Sequence, residues 1–171
     1  INVAAVQLTA KQQTLVALEN DIDKYSVEAK SQGADIVLFP EDDMLNIIYD
    51  KPWSKESLFE LANSYNSFKK FVGTLSKQLN IIIIAGSTTQ IKDGKLYNTA
   101  LIGLPSGQVI EQDKIYLTPG ERKVGYDGSG NNILVLDTPK GRIAVLVCYT
   151  SEFADISLEL SKIQPDIILV P

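Results

Sequence analysis

Four side chains carry the chemistry that this sequence can offer: Glu41, Lys114, Glu121 and Cys148. Each stands at or near the carboxyl end of an apolar run that reads as a strand, which in open α/β sheets is where ligands bind. Cys148 is the only cysteine, and the 171 residues contain no histidine. That absence removes Ser-His-Asp and Cys-His nucleophile pairs and every His-ligated zinc site, because the base or ligand they need is missing. A cysteine attacking a carbonyl or nitrile carbon here needs a carboxylate as proton acceptor, which casts Glu41 as general base. The oxyanion that forms needs a positive donor in a dry site, a role for Lys114 aided by the Tyr149 backbone N–H. Glu121 then holds the lysine charged and oriented, or assists proton transfer. Taken singly, each residue has a blander reading. Lone cysteines are mostly small buried hydrophobes, and lysines and glutamates mostly solvated charges.

The elements that must position these groups are legible around them. Ile143 to Val147 is an unbroken apolar run suited to a strand buried on both faces, and Phe153, Ile156, Leu160 and Ile163 then recur at helical spacing. Cys148 thus falls at a strand-to-helix junction, where a helix amino terminus is expected to lower the thiol pKa. At the start of the chain, Asn2–Gln7 reads as a strand, residues 12–31 as an amphipathic helix stopped by Gly33, and Gly33–Pro40 as a second buried strand with Glu41 just beyond it.

The middle of the chain is mixed. Met44–Trp53 has no clean period and reads as a loop, and Ser54 caps one long helix whose apolar residues run from Leu58 to Leu79. Ile81–Ala85 is a buried strand, Asp93-Gly94 turns a hairpin between Thr88–Ile91 and Leu96–Leu104, and Gln108–Ile115 is a further strand ending in Lys114. Gly125–Asn132 is a polar, glycine-rich loop, and Asn132–Asp137 a strand. The tail Pro165-Asp-Ile-Ile-Leu-Val-Pro171 echoes Ala34-Asp-Ile-Val-Leu-Phe-Pro40, so two βαβ units are expected to flank a set of antiparallel strands.

Composition bounds the function classes. With 44% hydrophobic residues and a net charge of −5, the chain suits one well-cored domain over residues 1–171. No Lys/Arg run exceeds Lys69-Lys70, so no nucleic-acid footprint is present. No apolar stretch approaches a membrane span. A single cysteine forms no internal disulfide and leaves the redox compartment open.

Three stretches together resemble the nitrilase superfamily, the carbon–nitrogen hydrolases: Leu38-Phe-Pro-Glu41, Asp113-Lys-Ile-Tyr-Leu-Thr-Pro-Gly-Glu121, and Gly141-Arg-Ile-Ala-Val-Leu-Val-Cys-Tyr-Thr-Ser-Glu-Phe153. Minor matches are Val3–Gln7, Tyr97-Asn-Thr-Ala100 and Pro165–Pro171. The resemblance implies a four-layer αββα sandwich of two mixed sheets. It implies Glu41 as general base, Lys114 as oxyanion stabiliser, Cys148 as nucleophile and Glu121 as the second glutamate beside the lysine, with Tyr149 and Thr150 at the substrate. It further implies no cofactor and no metal, a small amide or nitrile as substrate, and homo-oligomers; a cytoplasmic location is expected. The family usually carries Asp or Glu at the place of Thr150, often Pro at Ala154, and commonly histidine at Tyr116. Family domains also continue past a strand like Asp166–Val170, so the chain is expected to be the amino-terminal two thirds of a complete domain and unstable or self-associating in isolation. The leading function is hydrolysis of an amide or nitrile through a cysteine thioester. The alternatives are acyl transfer to an amine, as in the apolipoprotein N-acyltransferase branch, and a catalytically idle binding domain.

Overall fold

A computed structural model describes residues 1–171. Its first unit is strand β1 (Val3–Ala5), helix α1 (Leu15–Ser31) and strand β2 (Ile36–Leu38), with β1 and β2 parallel. The Thr14 hydroxyl caps α1 by accepting from the Ala17 N–H at 3.1 Å, which fixes the helix start slightly later than the periodicity predicts. A 3-10 turn, Asp43–Ile48, occupies the stretch expected to be loop.

The long helix expected after Ser54 is two helices, α2 (Lys55–Ala62) and α3 (Tyr65–Leu79). The break falls at Asn63-Ser64, two residues whose short polar side chains compete with the helical backbone for hydrogen bonds. The apolar spacing of four from Leu61 to Tyr65 hides the break from a periodicity count.

Strand β3 (Ile82–Lys92) then runs through both segments read as separate strands and pairs antiparallel with β4 (Lys95–Gly103). Asp93 and Gly94 both have positive φ, as a type I′ hairpin requires. A register shift between Ile84 and Ser87 places Gly86 at φ +58, in a bulge. Strand β5 (Val109–Asp113) pairs with β4, helix α4 (Pro119–Val124) follows, and then come β6 (Leu134–Thr138), β7 (Gly141–Val145), a 3-10 turn at Cys148–Glu152, helix α5 (Ala154–Ile163) and β8 (Ile167–Leu169).

Two sheets result, ordered β1-β2-β3-β4-β5 and β6-β7-β8. Strand alternation decides what each residue packs against. Val37, Ile83, Ala85 and Leu101 point into a core shared with Leu18 and Ile22 of α1 and Phe68, Val72 and Leu75 of α3. Their neighbours Ile36, Ile84, Ala100 and Ile102 point the other way, against Leu136, Ile143, Val145, Val147 and Leu169 of the second sheet. Each such fully buried side chain contributes about 1.5–3 kcal/mol relative to exposure. Helix α3 lies so close to β4 that a Cβ on Gly103 would sit 2.1 Å from the Ser76 hydroxyl. With α5 following β7, the layers are helix, sheet, sheet, helix, and the αββα sandwich is the fold of the chain.

Candidate active site

Glu41 leaves β2 through Phe39, whose N–H donates to the Ile84 carbonyl at 2.9 Å. The Pro40 carbonyl then approaches Gly86 so closely that a Cβ there would lie 2.1 Å from it. Asp42 takes a left-handed conformation, φ 58, and its N–H donates to the Ser87 hydroxyl at 3.1 Å. The bulge in β3 thus receives the turn that carries Glu41.

Lys114 immediately follows β5, and its N–H donates to the Asn98 carbonyl of β4 at 2.8 Å. Its side chain is 1% exposed, and its ammonium donates to Glu41 Oε1 at 2.7 Å and to Glu121 at 2.9–3.0 Å. Glu121 owes its position to a capping box. The Thr118 hydroxyl accepts from the Glu121 N–H at 3.1 Å, and Glu121 Oε2 accepts from the Thr118 N–H at 2.7 Å. Pro119 opens the helix, so the Thr-Pro-Gly-Glu run is itself the device that aims the second carboxylate.

Asn98 was not foreseen as a site residue, although its neighbourhood matches the family. Its Nδ2 donates to Glu41 Oε1 at 3.0 Å and to Glu121 Oε1 at 2.8 Å, so it bridges the two carboxylates that grip Lys114. The available signal is an asparagine inside the buried apolar strand Leu96–Leu104, where asparagine is disfavoured.

Cys148 ends the run that begins as β7, and its N–H donates to the Pro171 carbonyl at 2.9 Å. It is exposed and adopts φ 40, a left-handed conformation that a non-glycine residue holds at a cost of order 1–3 kcal/mol. The expectation of a depressed thiol pKa is corrected here. Burial pushes the Cys148 thiol up, hydrogen bonding and charge from Glu41 push it further, and Lys114 and the Tyr149 amide oppose only in part, leaving it at about 11. The helix after it starts only at Ala154, while the Glu41 carboxylate is adjacent. The neighbourhood of Glu41 thus favours the thiol over a preformed thiolate.

For Lys114, burial pulls the ammonium down, but the Glu41 and Glu121 hydrogen bonds win and raise it above its ordinary value. Burial raises the Glu121 carboxyl, and the Asn98, Lys114 and Thr118 donors outweigh that and hold it low. One oxygen each of Glu41, Asp42 and Glu121 lies within 4.8 Å of the others, a spacing that suits a cation. The cation paired with two of them is the Lys114 ammonium.

Thr150, expected at the substrate, is held inside the protein. It is 1% exposed, and its hydroxyl accepts from the Ile115 and Tyr116 N–H groups at 3.2 and 3.1 Å. It ties the Lys114 loop to the Cys148 turn as an acceptor, the capacity that an Asp or Glu in its place would also provide. Tyr116 stacks on Phe153 with centroids 3.9 Å apart and hydrogen-bonds Asp155, joining the same two segments. The half-buried Tyr149 meets Phe153 edge-on at 5.0 Å, and its amide points to the sulfur.

An αββα sandwich that gathers a cysteine, a lysine and two glutamates between its two sheets and the cap of α4 defines a class of α/β proteins. Within that class the chain belongs to the carbon-nitrogen hydrolase family, whose sequence profile matches residues 2–170. Its relatives include the Bacillus subtilis (strain 168) protein YhcX, named a probable hydrolase, 30% identical over 152 residues covering 86% of this chain and 28% of that protein. An omega-amidase of Xenopus tropicalis is 28% identical over 155 residues, covering 84% of this chain and 53% of that protein. Among solved structures, a carbon-nitrogen hydrolase of Helicobacter pylori G27 aligns over 100% of this chain and 59% of its own, with a TM-score of 0.83 at 15% identity. An amidase of Nesterenkonia sp. AN1, a Glu-to-Gln mutant carrying an acrylamide adduct on its active-site cysteine, aligns over 99% of this chain and 65% of its own, with a TM-score of 0.81 at 20% identity. The chain spans about half the length, or less, of these curated relatives. No helix is long and apolar enough to cross a membrane.

Proposed function

We propose that the protein to which this chain belongs hydrolyses an amide through a thioester on Cys148. The observation that carries the reading is the buried Lys114 ammonium held by Glu41 and Glu121 beside the Cys148 thiol. Glu41 takes the thiol proton as sulfur bonds to the carbonyl carbon, so the high thiol pKa is met by a base in contact. The carbonyl oxygen becomes an oxyanion facing the Lys114 ammonium and the Tyr149 N–H. As the C–N bond breaks, Glu41 returns the proton to the departing nitrogen. Glu41 then deprotonates water, which attacks the thioester carbonyl, and the thiol leaves with that proton. The family profile and the amidase relatives support this reaction class.

The test is a burst experiment with an activated ester as acyl donor. Acylation should appear as a burst equal to the Cys148 content, with a matching mass increase that Cys148→Ala abolishes. Added primary amines should divert only a minor share of product. Amide product dominating at millimolar amine would replace hydrolysis by acyl transfer, and the absence of any adduct would leave an idle domain.

A further inference from the structure

A pocket of about 350 Å³ opens directly beside the acid cluster, bounded by Asp42, Leu45, Ile48, Tyr49, Lys51 and Trp53. It begins one residue after Glu41. Its far wall, the Trp53 ring, lies 3.6 Å from where a Cβ on Gly120 would be, one residue before Glu121. The pocket therefore touches both segments that deliver the glutamates gripping Lys114. Tyr49 and Trp53 are 59% and 53% exposed, an unusual amount of aromatic surface to leave in water in a protein whose other aromatics are mostly packed.

The lining says what fits. Leu45, Ile48 and the two aromatic rings present apolar surface, and the one cation, Lys51, is already paired with Glu60. A carboxylate placed here would lose water against these apolar walls, and the one cation at the rim, Lys51, is itself wet and shared with Glu60, so little would compensate the loss. A neutral hydrocarbon group would bury apolar area against four apolar walls.

Resting on the hydrolase reading above, we propose that this pocket receives the alkyl or aryl group of a neutral amide, selecting apolar amides over half-amides of dicarboxylic acids. Trp53 is the only tryptophan in the chain, so its emission reports occupancy of this pocket independently of turnover. The experiment titrates the Cys148→Ala form of the whole protein with propionamide, butyramide, hexanamide and succinamate while following Trp53 fluorescence, with Trp53→Phe as the background. A saturable blue shift should appear, tightening about fourfold per added methylene, the equivalent of about 0.8 kcal/mol. Succinamate should give no saturable change up to concentrations that saturate with hexanamide. Leu45→Asp should abolish the hexanamide response while the butyramide-independent thermal melt stays cooperative.

No saturable shift with any amide, or tighter binding of succinamate than of butyramide, overturns the pocket assignment. Its failure is distinguishable from failure of the hydrolase reading. A Cys148 burst without a Trp53 response leaves the chemistry and removes the pocket, whereas a graded Trp53 response without any acyl adduct keeps the pocket and removes the chemistry.

Discussion

Asp113 and Lys114 are sequence neighbours that join two lysine–carboxylate clusters of opposite character. In the first, Lys92 donates to both oxygens of Asp113 at 2.7 and 2.8 Å and reaches Glu111 at 3.3 Å, and Lys69 donates to Glu111 at 2.6 Å. In the second, Lys114 joins Glu41 and Glu121 at 2.7–3.0 Å. The pairing chemistry is the same. The water is not: the Lys92, Glu111 and Asp113 side chains are 30%, 22% and 20% exposed, against 1% and 4% for Lys114 and Glu121, and only Glu41, at 18%, opens the second cluster to solvent. Partly wet charges are screened and their pairs contribute little, while dry charges act on one another strongly and keep a fixed orientation without reorganising solvent. Short distances alone do not make a site; Lys114 differs in being enclosed by Glu41, Asn98 and the cap of α4.

The largest effect that follows separates the two lysines. Lys114→Met keeps the apolar stem but leaves the buried Glu121 carboxylate, and the part-buried Glu41 beside it, without their cation, so it should lower turnover by about 100- to 1,000-fold and destabilise by about 3–5 kcal/mol. Lys92→Met should cost under about 1 kcal/mol and leave turnover unchanged. Urea melts and steady-state rates of the two variants decide it, and similar losses in both would dissolve the distinction between wet and dry clusters.

A smaller effect sharpens the role of the dry cluster. Glu41 is both the proposed base and a cause of the raised Cys148 thiol. Glu41→Gln should therefore move two rates in opposite directions. Turnover should fall about 100-fold because the base is gone. Alkylation of Cys148 by iodoacetamide at pH 8 should become faster, because Lys114 then acts on the thiol unopposed and more thiolate is present. If alkylation slows together with turnover, Glu41 does not raise the thiol and the pair is misassigned.

What the sequence displayed and what it hid divide along the distance over which each feature is set. The Asp93-Gly94 hairpin, the buried strands and the placement of Glu41, Lys114 and Cys148 just past strands depend on neighbours within a few residues, and periodicity and turn chemistry expose them, whereas Glu121 sits in α4 and not at a strand end. The Asn98 bridge, the Thr150 acceptor and the Cys148–Glu41 interaction join residues 57, 35 and more apart in the chain, and no local pattern carries them. The thiol shows this most directly. A helix start downstream suggested a lowered pKa, but a carboxylate brought in from β2 reverses the direction. The split between α2 and α3 was local yet masked, because the polar pair Asn63-Ser64 interrupts the helix without interrupting the apolar spacing.

Asp43 extends the comparison to a carboxyl that is dry and has no cation. It is 4% exposed, and neither of its oxygens has a partner at hydrogen-bonding geometry. Burial raises its carboxyl well above the ordinary value, the Met44 amide pulls the other way, and Asp42 adds to the rise. The sign for stability follows. Above about pH 4 the unfolded chain has lost this proton while the native state keeps it, so stability falls as pH rises, by at most about 1.4 kcal/mol per pH unit, until the native carboxyl itself ionises. Glu111, in the wet cluster, behaves oppositely: burial works against ionisation, but Lys69 and its other donors hold it at about 2, so its contribution is present at neutral pH and is lost progressively as pH falls from the ordinary carboxyl range through that value. Asp43→Asn keeps the shape and cannot ionise. Its melting temperature should gain on the parent's as pH rises above the ordinary carboxyl range, by about 2–4 °C for each kcal/mol recovered. Turnover should not change, since Asp43 packs against the Gly86 bulge and not against Lys114. Parallel pH profiles for variant and parent would show Asp43 ionised in the native state, and a buried charge with no partner would then have to be accommodated by polar groups that neither cluster provides.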